Sequence, residues 1–399
     1  MASIAETGPD TRFLIARLWS NQKARSIIIQ IVTLTLVFVF LGLILRNVVI
    51  NLETVGKEFS FGFFLYPAAY DITFSPFIEY DSRSTHLRAA VVGILNTILV
   101  AVCGIILATI MGFTMGVLRL SKNWLVNRMV YCFLEFTRNI PVLLHILFIH
   151  GLVVTQLPVP KQAMNFADSF FLTNRGFYFP QPVWEPGAWI VAAAFLISIA
   201  FVVFFIPWAK KVRDETGRIY PVFWISTGAV VGATVVAFLA AGMPLSWAVP
   251  ELKGFNFKGG VAIKPEFIAL WLALSYYTSC FIAEIVRAGI LAISYGQTEA
   301  AYALGLRPNR TLHLIVIPQA LRVIVPPLTS QYLNLTKNSS LAIAIGYMDI
   351  VATVGGITLM QTGKEMETMI VVLLIYLTLS LTISGFMNWY NKKMTLVER

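Results

Sequence analysis

An apolar run of about twenty residues, the length that crosses a bilayer as an α-helix, recurs eight times along this chain. The runs lie at residues 26–45, 89–118, 131–154, 189–209, 222–242, 267–290, within 322–350, and at 369–389. In hydrocarbon every backbone N–H and C=O must be satisfied without water, so segments of this length specify helices. A length of 399 residues would admit two or three soluble domains, but 57% hydrophobic and only 13% charged residues override that prior. The expected fold class is an all-α polytopic membrane protein with about eight transmembrane helices.

The charge follows the spans. Nineteen of the thirty Lys and Arg fall in residues 1–25, 119–138, 210–218, 287–322 and 391–399. The remaining eleven lie in the alternate loops or in the seventh run, where acids roughly balance them. This is the bias of cytoplasmic loops. It puts both termini and the 287–322 connection inside, and residues 46–88, 155–188 and 243–266 outside. The formal charge of +10 is therefore topological, and nucleic acid is not an expected partner. The first run follows Arg12, Arg17, Lys23 and Arg25 as a signal peptide would. It is long enough to span, however, and no small-residue cleavage site stands out, so it reads as a retained span.

Cys103, Cys132 and Cys280 lie in or near apolar runs, and His86, His145, His150 and His313 are scattered, so neither a disulfide framework nor a metal site is indicated. No phosphate-binding G-x-x-x-x-G-K-[ST] occurs. No catalytic residue is expected, and if ATP drives this chain another subunit hydrolyses it.

The seventh run is the least lipid-like. It carries Pro326-Pro327, Thr329, Ser330, Gln331, Asn334, Thr336, Lys337, Asn338, Ser339 and Ser340. Such polar density must face protein or water, and the paired prolines read as a break in the helix, as in discontinuous helices that line transport paths. Gln331, Asn334, Lys337, Asn338 and Ser339, with Asn96 of the second span, are candidate pathway residues. Lys337 has two readings, a partner for a carboxylate or a structural helix-end cation. Phe136-Thr137-Arg138-Asn139-Ile140-Pro141 opens the third span, with Pro141 suited to a first helical turn. Arg138 and Asn139 stand there either as a gate or as a plain helix start. Glu284 and Arg287, three apart on a helix, favour an ion pair over substrate contact.

Residues 283–320, AEIVRAGILAISYGQTEAAYALGLRPNRTLHLIVIPQA, connect two spans and are polar enough to leave the bilayer. A short helix through residues 297–304 stops at Gly305, a left-handed C′ residue, and Pro308 opens a second amphipathic helix. The result is a compact knob whose tip offers the small Ala300, Ala301 and Ala303 beside one carboxylate, Glu299. Glu299-Ala300-Ala301, Gly305 six residues after the Glu, Ile315, and Ile317-Pro318 resemble the EAA loop of ATP-binding-cassette importer permeases. Where that family has Leu before the final Pro, this chain has Ile317. AEIVRAGI upstream, KNSSLAIAIGYMDIV downstream and the Arg-Asn-x-Pro of residues 138–141 extend the likeness to the polar amino-acid branch, over residues 89–152 and 267–390.

The resemblance implies a type I ABC importer permease fold whose cytoplasmic loop, through Glu299, Ala300, Ala301, Gly305 and Pro318, docks on an ATPase subunit. Implied partners are ABC ATPase subunits, a second permease subunit (identical or sister), a periplasmic amino-acid-binding protein and membrane lipid. The implied site is the bacterial inner membrane, with no cofactor on this chain and ATP used by its partner. Residues 1–88 form a tail, first span and external loop; 89–390 the transmembrane domain, with 153–266 an apparent insertion carrying two spans; and 391–399 a cytoplasmic tail. The enlarged plan resembles general L-amino-acid permease subunits of Gram-negative bacteria. Two rivals fit less well. A secondary transporter predicts charges in several spans and an internal repeat, and a membrane-embedded enzyme predicts clustered His, Asp or Cys; neither pattern is present.

Overall fold

The computed structural model describes residues 22–54, 56 and 58–394. Residues 1–21 and 395–399, with Arg12, Arg17 and most of the expected C-terminal tail, lie outside them. Among the described residues seven helices are long and apolar enough to cross a membrane, or up to eight if a bent pair counts as one span. They are α1 (Gln22–Thr54), α2 (His86–Leu118), α5 (Ala188–Thr216), α6 (Val222–Ala240), α7 (Pro265–Leu291), the Leu312–Ile345 span built on α10 (Ile317–Asn338), and α12 (Glu365–Met394). The bent pair is α3 (Trp124–Arg138) and α4 (Val142–Gln156).

The residues fall into two compact units. The first takes the chain through Phe64 together with Lys364–Glu367. In it the Ser60 amide donates to Glu367 Oε1 at 3.0 Å, and the Lys364 ammonium donates to the Glu58 carbonyl and lies 3.7 Å from Glu367 Oε1. The second takes Leu65–Gly363 and the chain from Thr368 onward.

The second unit is centred on α2 and α7. Thr85 caps α2, its hydroxyl accepting from the Arg88 amide, and Pro265 opens α7 at a position where its missing N–H is no loss. Gly112 and Gly116, four apart on α2, let the backbones of α2 and α7 approach closely, as small residues do in membranes. A Cβ at Gly112 would sit 3.0 Å from the Ser279 carbonyl oxygen; at Gly116 it would sit 2.8 Å from that of Ala283. The core then continues through Val100 and Ala108 of α2, Leu270, Leu274, Ile282 and Val286 of α7, and Ile324, Leu328 and Leu335 of α10. By contrast α5 and α6 pair as a hairpin with little burial.

Four features depart from the sequence expectations. The third span is two helices bent by 104°, with Pro141 as the N-cap of α4 rather than in its first turn. Pro326-Pro327 do not break the seventh span: α10 runs unbroken through them from Ile317 to Asn338. Proline φ is already helical, and what is lost is two donors and some carbonyl clearance, which packing tolerates. The discontinuity comes later, in a 3₁₀ segment Ser339–Ile345 ended by Gly346 at φ +77°, before a π-helical stretch Val351–Thr358 and α11 (Leu359–Thr362). The knob's second helix is not separate either. Pro308–Thr311 (α9) passes through a π-helical turn, Leu312–Val316, straight into α10. The wide turn lies just ahead of Pro318, whose ring would clash with the i−4 carbonyl of a regular helix.

The fourth concerns the loops at 155–188 and 243–266, which are not wholly irregular. They hold β1 (Met164–Phe166), β2 (Phe170–Thr173), β3 (Gly176–Phe179), β4 (Gln181–Trp184), β5 (Leu245–Ala248), β6 (Glu251–Lys253), β7 (Asn256–Lys258) and β8 (Val261–Ile263). All pairings are antiparallel; β3 pairs with β8 and β4 with β5, joining the two loops across the α5–α6 hairpin.

Candidate functional site

The knob begins where α7 ends. Ser294 precedes α8 (Tyr295–Ala303), which closes through Gly305 at φ +75°. The Gly305 amide donates to the Tyr302 carbonyl at 2.9 Å and the Leu306 amide to the Ala301 carbonyl at 3.1 Å. These are the two bonds of a Schellman motif, which satisfy carbonyls at a helix end. Glu299, Ala300 and Ala303 are exposed, whereas Ala301 turns inward at 2% exposure, so the tip is narrower than three alanines. The exposed apolar contribution comes from Tyr295, Tyr302 and Leu304, the last at 81%. Gln319 Nε2 donates to Gln297 Oε1 at 3.3 Å, tying α8 to α10 one residue beyond the half-buried Pro318.

On α10 the pathway candidates separate by face. Ser330, Asn334 and Lys337, at i, i+4 and i+7, form an exposed polar stripe, with Gln331 and Asn338 half-buried at its edges. Asn96 and Ser339 are fully buried elsewhere. Asn96 Nδ2 donates to the Phe74 and Met348 carbonyls, each at 2.9 Å. Ser339 Oγ donates to the Thr336 carbonyl at 2.7 Å and lies 3.5 Å from the Tyr376 hydroxyl.

Around these two sits a buried polar knot that sequence reasoning missed. Asp349, with no exposed surface, accepts from the Ala352 amide at 2.8 Å and from the Tyr376 hydroxyl at 3.2 Å. Tyr347 donates to the Asn96 carbonyl, and the Ile350 amide donates to Thr97 Oγ1. Together they hold the residues after the 3₁₀ segment against α2 and α12. The available signal was a single acid in an otherwise apolar GYMDIVATVGG stretch, a rarity inside membranes.

At the bend between α3 and α4, Arg138 Nη1 lies 3.5 Å from Glu135 Oε1, and Asn139 Nδ2 donates to the Glu135 carbonyl at 2.7 Å. His145 Nε2–H donates to the Thr137 carbonyl at 3.1 Å; its Nδ1 therefore accepts from the Tyr276 hydroxyl, fastening the bend to α7. Arg287 Nε donates to Glu284 Oε2 at 3.0 Å along α7, the i,i+3 pair. Cys103, Cys132 and Cys280 are free thiols. Among the described residues no group of three or more His, Cys, Asp and Glu has a metal-holding arrangement.

Residues 215–396 match the family described as binding-protein-dependent transport system inner membrane component. The chain is 46% identical over 379 residues to the general L-amino acid transport system permease protein AapQ of Rhizobium johnstonii, covering 95% of this chain and 94% of AapQ. It is 46% identical, over an alignment of 428 positions that covers 100% of this chain and 100% of BztB, to the glutamate/glutamine/aspartate/asparagine transport system permease protein BztB of Rhodobacter capsulatus. It is 43% identical over 381 residues to the putative amino-acid ABC transporter permease protein YhdX of Escherichia coli, covering 96% of this chain and 97% of YhdX.

Proposed function

The chain belongs to the amino-acid ABC transporter permeases, the inner membrane components of binding-protein-dependent transport systems, and on that premise we propose that it is the path for L-amino acids in an ATP-driven importer. The observation that carries this reading is the stripe Ser330, Asn334 and Lys337 on α10, exposed along a membrane span. A cation and an amide there are costly against lipid and suit a water-filled path or a second permease subunit. An L-amino acid carries a carboxylate, which an exposed ammonium at Lys337 complements.

In this reading α8 with Gly305 docks, through Glu299, Ala300 and Leu304, on a cytoplasmic ATPase subunit that binds and hydrolyses ATP. Closure of two ATPases rocks a pair of permease subunits from inward- to outward-facing, and a periplasmic binding protein delivers the amino acid. In this reading the membrane is a bacterial inner membrane and both termini lie in the cytoplasm, the side that the charge bias favours. The names of AapQ and BztB point to general, acidic and amide L-amino acids.

The test is co-purification from detergent-solubilised membranes, then reconstitution into proteoliposomes with ATP inside or outside and labelled glutamine or glutamate. An ATPase subunit recovered with the chain, and uptake that needs ATP and falls at least several-fold in Asn334→Leu and Lys337→Met, support the proposal. A chain that purifies alone and transports down a proton gradient without ATP overturns it.

A further inference from the structure

The α5–α6 hairpin has no role in the reading above, and its basic end is built as a site. Helix α5 has 29 residues, about nine more than a bilayer core needs. Its last turns therefore reach the headgroup level, and they carry Trp208, Lys210, Lys211 and Arg213. Between this end and the start of α6 lies a cavity of about 240 Å³. Ile206, Ala209 and Val222 give it apolar walls, and Lys210, Arg213 and Tyr220 line it as well. Trp208 and Tyr220 hold their rings 5.4 Å apart beside it, an aromatic pair of the kind that sits at membrane interfaces.

The charges nearby leave the cavity cationic. Asp214 Oδ1 lies 3.4 Å from Arg213 Nε, and Glu215 Oε1 lies 3.7 Å from Lys211 Nζ, both more than half exposed. Lys210 has no ion-pair partner among the described residues. The apolar wall at Ile206 continues along the same face of α5 as an exposed track through Val203 and Ile199, three and seven residues earlier, the course an acyl chain would take. At the other end of the hairpin a larger hollow, about 440 Å³, is lined by Trp184, Trp189 and Phe195 and has no cation. The hairpin thus presents two hollows, and one of them is lined by cations.

We propose that the cavity of Lys210, Arg213 and Tyr220 binds the phosphate of an anionic phospholipid, with the acyl chains lying along α5. The assignment does not depend on what the chain transports. Two cations at a lipid surface, each worth roughly fivefold, give about a 25-fold preference for an anionic over a zwitterionic headgroup.

Native mass spectrometry of the full-length detergent-solubilised chain, titrated with phosphatidylglycerol or phosphatidylcholine, reads this directly. The expected result is tighter binding of phosphatidylglycerol, lost by about 25-fold in Lys210→Ser with Arg213→Ser. The same preference should persist in Lys122→Ser with Lys211→Ser, which removes equal charge outside the cavity. Val222→Phe, which narrows the cavity and leaves both charges, should also weaken it. Should the first double variant not fold, the wild-type preference and Val222→Phe still decide. No preference in the wild type, equal loss in both double variants, or displacement of the lipid by millimolar inorganic phosphate would each overturn the assignment.

Discussion

Replacing Gly305 tests whether the shape of the knob carries the coupling. Gly305 sits at φ +75° with nothing within 4 Å of where a Cβ would go, so a substitution acts through backbone conformation and not through collision. An alanine there adopts a left-handed conformation at about 1–2 kcal/mol, a shift of roughly five- to thirtyfold in the capped-to-uncapped ratio. Proline cannot reach φ +75° at all, and it removes the amide that donates to Tyr302. Together these cost at least about 3 kcal/mol, more than a hundredfold in the same ratio, and the cap opens. The assay is amino acid taken up per ATP hydrolysed in proteoliposomes holding the whole complex, for wild type, Gly305→Ala and Gly305→Pro. Thermal unfolding of the solubilised chain runs alongside. The expected order is a modest loss for alanine, near-complete loss for proline, and unfolding temperatures within a few degrees of wild type, because Gly305 lies outside the spans. Glu299→Lys should reduce coupling with the cap intact. Wild-type uptake per ATP in Gly305→Pro would refute the reasoning, and so would an alanine effect as large as that of proline.

Two further substitutions probe the bundle itself. Gly112→Leu forces side-chain atoms into the Ser279 turn of α7, and overpacking of this kind costs about 1–3 kcal/mol; a lower unfolding temperature in detergent, with Gly151→Leu in open space as the neutral comparison, checks it. Asp349→Ala leaves the buried Ala352 amide and Tyr376 hydroxyl without their acceptor and should cost about 1–3 kcal/mol. Tyr376→Phe should cost less, because the Ala352 bond survives.

How much of this was legible in the sequence follows from which forces act locally. The spans are visible because hydrocarbon requires long apolar runs, and the Gly305 cap because only glycine takes that φ without strain. The Glu284–Arg287 pair follows from helical spacing alone. The fate of Pro326-Pro327 was not legible: whether a proline pair breaks a helix depends on the neighbours that pack around it, and here Ile324, Val325 and Leu328 are buried on both sides of the pair. Lys337 and Ser339 are both polar letters of one run, yet one is exposed and the other buried: two positions apart they point about 200° apart around the helix, and which side packs inward is set by neighbours such as Tyr376. The loop strands, three or four residues each, are paired by partners up to eighty-odd positions away and leave almost no local trace. Asp349 was visible only as an oddity, since its side-chain partner Tyr376 lies 27 positions away.

The continuity of Pro308–Thr311, Leu312–Val316 and Ile317–Asn338 has a mechanical meaning. Thirty-one residues of helix make a shaft about 46 Å long, with the knob at one end and Lys337 at the other. A tilt of about 5° imposed at the knob sweeps the far end by roughly 4 Å, about the width of a side chain. No loop along the shaft is present to absorb that stroke. The one widened turn, just ahead of Pro318, is where its bearing can shift, so the amplitude reaching Lys337 is fixed by where that turn falls along the length.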